Sequence, residues 1–172
     1  LGLMGRYRGG AGKVAVTGSA LFGAISGSAV ANVVSTGIIT IPMMKKSGFP
    51  RQVAGAIEAV ASTGGQLMPP VMGAAAFLMA EFLQVAYGDV LLAALIPSVL
   101  YYAALFVQVD LYAAKHGIKA PSGTVLPAIL KTVRQGWHFA LPFALFLYML
   151  FAFNAPPGFA ALCASALLVV TT

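Results

Sequence analysis

The sequence predicts an all-α, polytopic transmembrane protein with a re-entrant hairpin and a discontinuous helix, and three observations carry that reading. Hydrophobic residues fill 60% of the 172 positions and charged residues only 8%, where a soluble domain carries about 25% charged residues. Residues 14–44, 59–80, 90–109 and 135–172 contain no Asp, Glu, Lys or Arg over 31, 22, 20 and 38 positions. A transmembrane helix needs ~20 apolar residues, so every stretch is long enough to enter a bilayer. Two of these stretches carry Gly, Ser or Pro clusters at their centres, which bend or break a helix.

The net charge of +6 is not a nucleic-acid signature. The cations cap the apolar stretches: Arg6, Arg8 and Lys13; Lys45, Lys46 and Arg51; Lys115 and Lys119; Lys131 and Arg134. That spacing fits positive-inside loops and not a basic face for phosphates, so no nucleic-acid partner is expected. The single cysteine, Cys163, lies in an apolar run and offers neither a disulfide framework nor a thiolate metal site. The chain starts on Leu1 with no basic-then-apolar leader and stops at 167–172 without a helix cap, which reads as a piece of a longer permease-sized chain.

Residues 1–13 are Gly-rich and basic and read as a cytoplasmic loop. Residues 14–44 are unusual for a membrane helix, because 14 of the 21 residues in 17–37 are Gly, Ala, Ser or Thr. As one helix the stretch would be ~46 Å long, against a hydrocarbon core of about 30 Å. Folded at Ser26-Gly27-Ser28, it gives two arms of roughly 12 residues, ~18 Å each, the size of a re-entrant hairpin. Lys13 at one end and Lys45 and Lys46 at the other put both ends on one side. A single tilted helix using Gly23 and Gly27 as a GxxxG packing face is the competing reading.

Residues 52–82 predict a broken helix. A helical start over 52–61 meets Ser62-Thr63-Gly64-Gly65-Gln66-Leu67-Met68-Pro69-Pro70, and helix propensity resumes over 71–82. Two glycines and a Pro-Pro pair stop an α-helix, and the segment is long enough to span once, so the break falls at mid-membrane. A proline-kinked helix without a ligand is the alternative.

Residues 90–109 predict an ordinary span with Pro97 inside it. Residues 124–136 alternate apolar positions with Lys131 and Arg134 and read as a surface-lying amphipathic helix. Trp137 and His138 mark the interface before a span over 139–153, and residues 154–158 turn the chain into a last, truncated span. A hairpin that does not cross, a broken helix that does, and alternating spans place all ten Lys and Arg on one face. Glu81 and Asp89 fall on the other. The basic face is then cytoplasmic.

No catalytic constellation is present. Gly12-Lys13 is followed by Val14, which is no phosphate-binding loop, and two histidines, one cysteine and four scattered carboxylates assemble neither a nucleophile–base pair nor a metal site. The chain is not read as an enzyme, and no cofactor is expected. What remains is neutral oxygen at depth: Ser26, Ser28, Asn32 and the carbonyls freed at Gly27, then Ser62, Thr63 and the carbonyls around Gly64 and Gly65. Pro69 and Pro70 lack N–H groups and are expected to leave upstream carbonyls unpaired. Such oxygens suit a hard monovalent cation such as Na⁺, and half-helix N-termini at the same tips suit an anionic substrate. Back-bonding of a Ser or Thr to its own helix competes with each single assignment. Glu58 is an intramembrane carboxylate, a possible coupling group or a partner for a basic residue elsewhere.

The run Gly23-Ala24-Ile25-Ser26-Gly27-Ser28-Ala29-Val30-Ala31-Asn32 is followed by Thr36-Gly37, Thr40-Ile41-Pro42, Lys45-Lys46, Gly55-Ala56-Ile57-Glu58-Ala59 and then 61–77, ASTGGQLMPPVMGAAAF. Together these resemble the large membrane subunit (DctM type) of tripartite ATP-independent periplasmic (TRAP) transporters, in particular the forms in which small and large subunits share one chain. The likeness is densest over 14–115, looser in the amphipathic segment and uninformative after 139. It implies sodium-coupled uptake of small, dicarboxylate-like organic acids across the bacterial inner membrane. It also implies a periplasmic substrate-binding protein, a small membrane subunit, separate or fused, and an elevator motion of one half of an inverted repeat. Carried over by position, Ser26, Gly27, Ser28 and Asn32 form the first hairpin tip. Ser62, Thr63, Gly64 and Gly65 form the following break, and the two together make one sodium site, with no other metal. Residues 14–87 would then belong to the transport domain, 88–136 to a scaffold span and arm helix, and 137–172 to further spans. No substrate-clamping arginine stands near either tip.

Two other functions compete. A proton-coupled antiporter or channel module would use Glu58 and need no binding protein. A structural membrane-assembly subunit would make the small residues packing surfaces.

Overall fold

A computed structural model describes residues 8–118, 137–153 and 157–171. The described residues are helical and form seven helices: α1 (Gly10–Ser26), α2 (Ala29–Lys46), α3 (Arg51–Gly64), α4 (Ala74–Leu83), α5 (Tyr87–Lys115), α6 (Trp137–Ala152) and α7 (Pro157–Thr171). They fall into two compact units. One takes in α1–α3 and the part of α5 after residue 92; the other takes in α4 from residue 75, the start of α5, α6 and α7.

In the first unit, α1 presents a stripe of small residues at helical spacing. Ala11, Ala15, Ser19 and Gly23 are buried, as are Gly12, Val16, Ala20 and Ala24. Small side chains at every fourth position let backbones approach closely, which is how helices associate where lipid tails compete for larger apolar groups. The opposite faces are apolar and open: Val30, Ile38 and Ile39 of α2 are 75%, 72% and 70% exposed. Inside, by contrast, Ser19, Asn32, Glu58 and Ser62 are fully buried. These polar groups sit beside an apolar core that includes Val16, Met44, Phe49 and Val109, while large aliphatic side chains also face outward, as on a surface that meets lipid.

α1 and α2 form a helical hairpin about the two-residue turn Gly27-Ser28. Ser19 meets Thr36 across it, and Gly23 meets Asn32; each pair sits symmetrically about the turn, so the arms are antiparallel. The arms have 17 and 18 residues, ~26 and ~27 Å, and so exceed the arms of roughly 12 residues expected from the sequence. The turn consumes only two residues, and α1 begins at Gly10, inside the segment expected as a loop. Lys13 is accordingly no loop cation. It lies 8% exposed on the packed face of α1, and its Nζ is 2.5 Å from Asp110 Oδ1 of α5.

The broken helix is also shifted. α3 continues three residues past 61 to Gly64, and α4 starts at Ala74 rather than at 71. Two α5 tyrosines account for the extension: Tyr101 Oη donates to Val60 O and Tyr102 Oη to Ala61 O, each at 2.8 Å. They supply partners to carbonyls where the helix is about to lose its own. α5 spans 29 residues, longer than the expected 90–109, and is long and apolar enough to cross a membrane.

In the second unit α6 packs against α7, with Leu150 and Ala160 buried. Phe77 stacks on Tyr87 with ring centroids 4.6 Å apart. Trp137 and His138 open α6. The amphipathic helix expected over 124–136 lies outside the described residues, and so does most of the turn expected over 154–158.

Candidate functional site at the hairpin turn and the helix break

Gly27 turns the hairpin in the left-handed region at φ 61, and its N–H closes on Gly23 O at 2.8 Å. Only glycine adopts that backbone without strain, and a side chain has no space there: an added Cβ would lie 1.9 Å from Met72 O. Ser28 caps α2, its Oγ accepting from the Ala31 N–H at 3.3 Å. Ser26 is half-buried, and its Oγ accepts from the Ser28 N–H at 3.5 Å.

The break after α3 is a tightened coil, not a set of orphaned carbonyls. The N–H groups of Gly65, Gln66, Leu67 and Met68 donate to the carbonyls of Ser62, Thr63, Gly64 and Gly65 at 3.0–3.3 Å, three-residue bonds of the 3₁₀ type. Gln66 O accepts from Gly73 N at 2.9 Å. The expectation that the prolines leave upstream carbonyls unpaired is therefore corrected: those carbonyls find partners further along the coil, and each keeps a second lone pair.

The turn and the break come together. Val71 N donates to Ala24 O at 3.0 Å, Gly27 lies against Met72, and the Gly23 and Gly65 backbones touch. Asn32 is 0% exposed beside them; its Nδ2 donates to Ser19 O at 2.8 Å and is within 3.1 Å of where a Gly65 Cβ would stand. The C-terminal ends of α1 and α3 thus converge on one place with no basic residue in either last turn. A helix C-terminus carries about half a negative charge and a helix N-terminus about half a positive one, so the two C-terminal ends are offset in part by the α2 N-terminus, which opens at Ala29 beside the same turn.

Of the residues singled out from sequence, Ser26, Gly27, Ser28, Asn32 and Gly65 gather here. Gly64 instead packs under the Tyr101 and Tyr102 rings. Thr63 is exposed, and its hydroxyl donates to Ala59 O of its own helix at 2.8 Å. Ser62 is buried and turned to Glu58, its Oγ 3.2 Å from Oε1.

Glu58 sits in a collar of hydroxyls. Oε1 accepts from Ser19 Oγ at 2.9 Å, Thr36 Oγ1 at 2.5 Å and Ser62 Oγ, while Oε2 accepts from Thr40 Oγ1. Among the described residues no cation pairs with it; the ion pairs there are those of Arg8 and Lys13 with Asp110. These four hydroxyls supply the hydrogen-bond partners that a buried carboxyl group requires. Sequence reasoning left Ser19, Thr36 and Thr40 unassigned. The spacing Asn32, Thr36, Thr40, every fourth residue of an apolar helix, was the available signal, with Glu58 and Ser62 repeating it on α3.

The sequence model described as "Tripartite ATP-independent periplasmic transporter, DctM component" matches residues 1–172. The chain belongs to the DctM family. Curated relatives agree. The C4-dicarboxylate TRAP transporter large permease protein DctM of Rhodobacter capsulatus is 38% identical over 40% of this chain and 16% of its own length. The sialic acid TRAP transporter permease protein SiaT of Haemophilus influenzae is 32% identical over 71% of this chain and 20% of its own. DctM of Pseudomonas aeruginosa is 30% identical over 77% of this chain and 30% of its own. This chain therefore spans less than a third of the length of these relatives. It belongs to a family of integral membrane transporter permeases and not to an enzyme family.

Proposed function

We propose that this chain is part of a multi-pass inner-membrane permease that couples Na⁺ to uptake of small organic acids by an elevator motion. A periplasmic binding protein delivers the substrate, and a small membrane subunit, separate or fused, completes the permease. The observation that carries the reading is the convergence of the α1 and α3 C-terminal ends at the Gly23–Gly65 contact. Carbonyls of the two helix ends and the oxygens of the turn 26–28 are neutral ligands of the kind a monovalent cation takes; Asn32, whose Nδ2 faces Gly23 and Gly65, would join them by turning Oδ1 to the ion. In this reading Ser26, Gly27, Ser28 and Asn32 line one side and Ser62, Thr63, Gly64 and Gly65 the other, Thr63 through its carbonyl. The names of the relatives, C4-dicarboxylate and sialic acid, support a carboxylate-bearing substrate.

A second reading, proton coupling through Glu58 without a binding protein, draws on the complete burial of that carboxylate. Its collar of four hydroxyls favours the first reading, because the carboxylate needs no further partner.

The test uses the whole permease that contains this chain, stripped of cysteines (Cys163→Ser included) and given one at Ser28. Thiol labelling in membranes that Na⁺ suppresses supports a wet, ion-linked turn. Absence of labelling in both conditions means a packed turn and a structural role. Labelling indifferent to Na⁺ moves the coupling ion elsewhere, with Glu58 next to be tested.

A further inference from the structure

We propose that the outward face of α2 and the basic end of its helix bundle seat an anionic phospholipid, with an acyl chain along Val34 and Ile38 and the phosphate against Lys45, Lys46 and Arg51. Four helix ends meet there. Gly9 N, just before α1, donates to Ile118 O, just past α5, at 3.4 Å. Phe49, between α2 and α3, stacks on Tyr112 of α5 with ring centroids 6.1 Å apart, and its Cζ is 3.1 Å from where a Gly12 Cβ would stand on α1. Lys45 and Lys46 close α2, Arg51 opens α3 and Lys115 closes α5, so four cations stand at that end, all of them exposed. The sequence holds four Asp and Glu residues. Asp110 is taken by Lys13 and Arg8, Glu58 is buried among hydroxyls, and Glu81 and Asp89 lie in the other unit. Among the described residues, therefore, Lys45, Lys46, Arg51 and Lys115 have no acidic partner.

The face of α2 that leads to these lysines suits lipid better than another helix. Val30, Val34 and Ile38 follow at four-residue spacing with Ile39 beside them, each more than half exposed, and exposed Pro42 carries the stripe on to Lys45 and Lys46. Helices that pack against one another in a bilayer use small residues at the contact, as the buried face of α1 does. Here the open positions are mostly β-branched and large. From Val30 to Pro42 the stripe rises 12 residues, ~18 Å, close to the depth of one leaflet of a hydrocarbon core of about 30 Å. The two lysines thus stand where a chain laid along the stripe would present its headgroup. Their stems can rest on apolar surface while the ammonium groups reach outward. A phosphate supplies the negative charge that no carboxylate of this chain brings to them. Each Lys or Arg near an anionic lipid surface multiplies binding roughly fivefold. The seat owes nothing to sodium coupling.

The experiment strips the purified whole permease of lipid in a neutral detergent, in sodium-free KCl buffer. It follows the thermal midpoint as phosphatidylglycerol, phosphatidylcholine or inorganic phosphate is added, because a ligand that binds only the folded state raises that midpoint. We expect phosphatidylglycerol to act at a concentration at least roughly tenfold below that of phosphatidylcholine. Inorganic phosphate should have no effect over the same range, and rising KCl should narrow the gap between the lipids as it screens the headgroup. The triple variant Lys45→Gln, Lys46→Gln, Arg51→Gln should lose the headgroup preference and still respond to phosphatidylcholine as the parent does. Arg8→Gln, which removes a cation that Asp110 already pairs, should keep the preference. An equal response to the two lipids overturns the proposal and leaves this face to another helix of the permease. A preference that survives the triple substitution also overturns it, since the lipid then sits elsewhere. A phosphate response equal to that of phosphatidylglycerol overturns it as well and makes the patch a site for free anions. Should the triple variant fail to fold, Lys45→Gln with Lys46→Gln decides by the same comparison.

Discussion

Gly23 and Gly65 meet backbone to backbone: a Cβ on Gly23 would stand 2.4 Å from the Cα of Gly65, and one on Gly65 would stand 2.6 Å from the Cα of Gly23. Real carbon atoms do not approach so closely, and neither backbone is the loose end of a side chain. The contact joins the hairpin to the helix break, 42 residues apart in sequence (65 − 23). It also brings two helix C-termini together. The close approach of the turn and the break depends on these two positions having no side chain.

Gly23→Ala and Gly65→Ala should therefore each destabilise the protein by about 3 kcal/mol or more, the upper end of overpacking costs. Gly18 and Gly55 have nothing within 4 Å of an added Cβ. Alanine there should stabilise by up to about 1 kcal/mol through helix propensity alone. Thermal midpoints of the four variants in detergent check the contrast. Parent-like melting of Gly23→Ala would refute the backbone contact.

The two α5 tyrosines support the same junction from below. Tyr102 is 9% exposed and donates to Ala61 O; Tyr101 is half-buried and donates to Val60 O. Replacing either by Phe keeps the ring and leaves a carbonyl without its donor, at a cost of about 1 kcal/mol. The loss should be larger for Tyr102, whose carbonyl partner has less access to other donors. Hydrogen exchange of the amides over 62–68 offers the direct readout, since the coil they form should open more often in both variants.

The features legible in the sequence are those written in local backbone chemistry. Ser26-Gly27-Ser28 marks a turn because glycine accepts a left-handed φ, and Gly64-Gly65 with Pro69-Pro70 marks a break because neither pair propagates a helix. Arm length was not legible, since nothing local distinguishes a two-residue turn from a longer one. The Glu58 collar escaped because Ser19, Thr36, Thr40 and Ser62 are ordinary residues until three helices place them around one carboxylate. The helix extension to Gly64 depends on hydroxyls that lie 41 residues downstream. Lys13 resembled a loop cation because its partner Asp110 is 97 residues away.

That partnership gives a further prediction. Lys13 is packed in α1, with Nζ on Asp110 and 5.3 Å from the centroid of the Phe106 ring, whereas Arg8 reaches the same carboxylate at 3.3 Å with a side chain 58% exposed. Asp110→Asn should lower the melting temperature clearly, because it leaves a buried ammonium without its counter-charge. Arg8→Ala should change it little, as exposed pairs do. Adding Lys13→Met to Asp110→Asn should restore part of the loss, and failure of that rescue would mean that Asp110 acts through something other than Lys13.

Ser62 and Thr63 are adjacent hydroxyls at the end of α3, yet the fold sends them in opposite directions. Ser62 is fully buried, with its Oγ on Glu58; Thr63 is exposed, with its Oγ1 returned to Ala59 O. If side-chain placement governs the junction, Thr63→Ala should leave the Na⁺ dependence of the thermal midpoint unchanged and alter stability by no more than about 0.5 kcal/mol. Ser62→Ala should cost about 1–3 kcal/mol of stability, because it removes one of the four donors to the buried Glu58 carboxyl. The pair differs by one position and shares a chemistry, so each variant controls for the other. A stronger Na⁺ effect from Thr63→Ala than from Ser62→Ala would show that the ion takes the Thr63 hydroxyl directly and that the collar lies outside its reach.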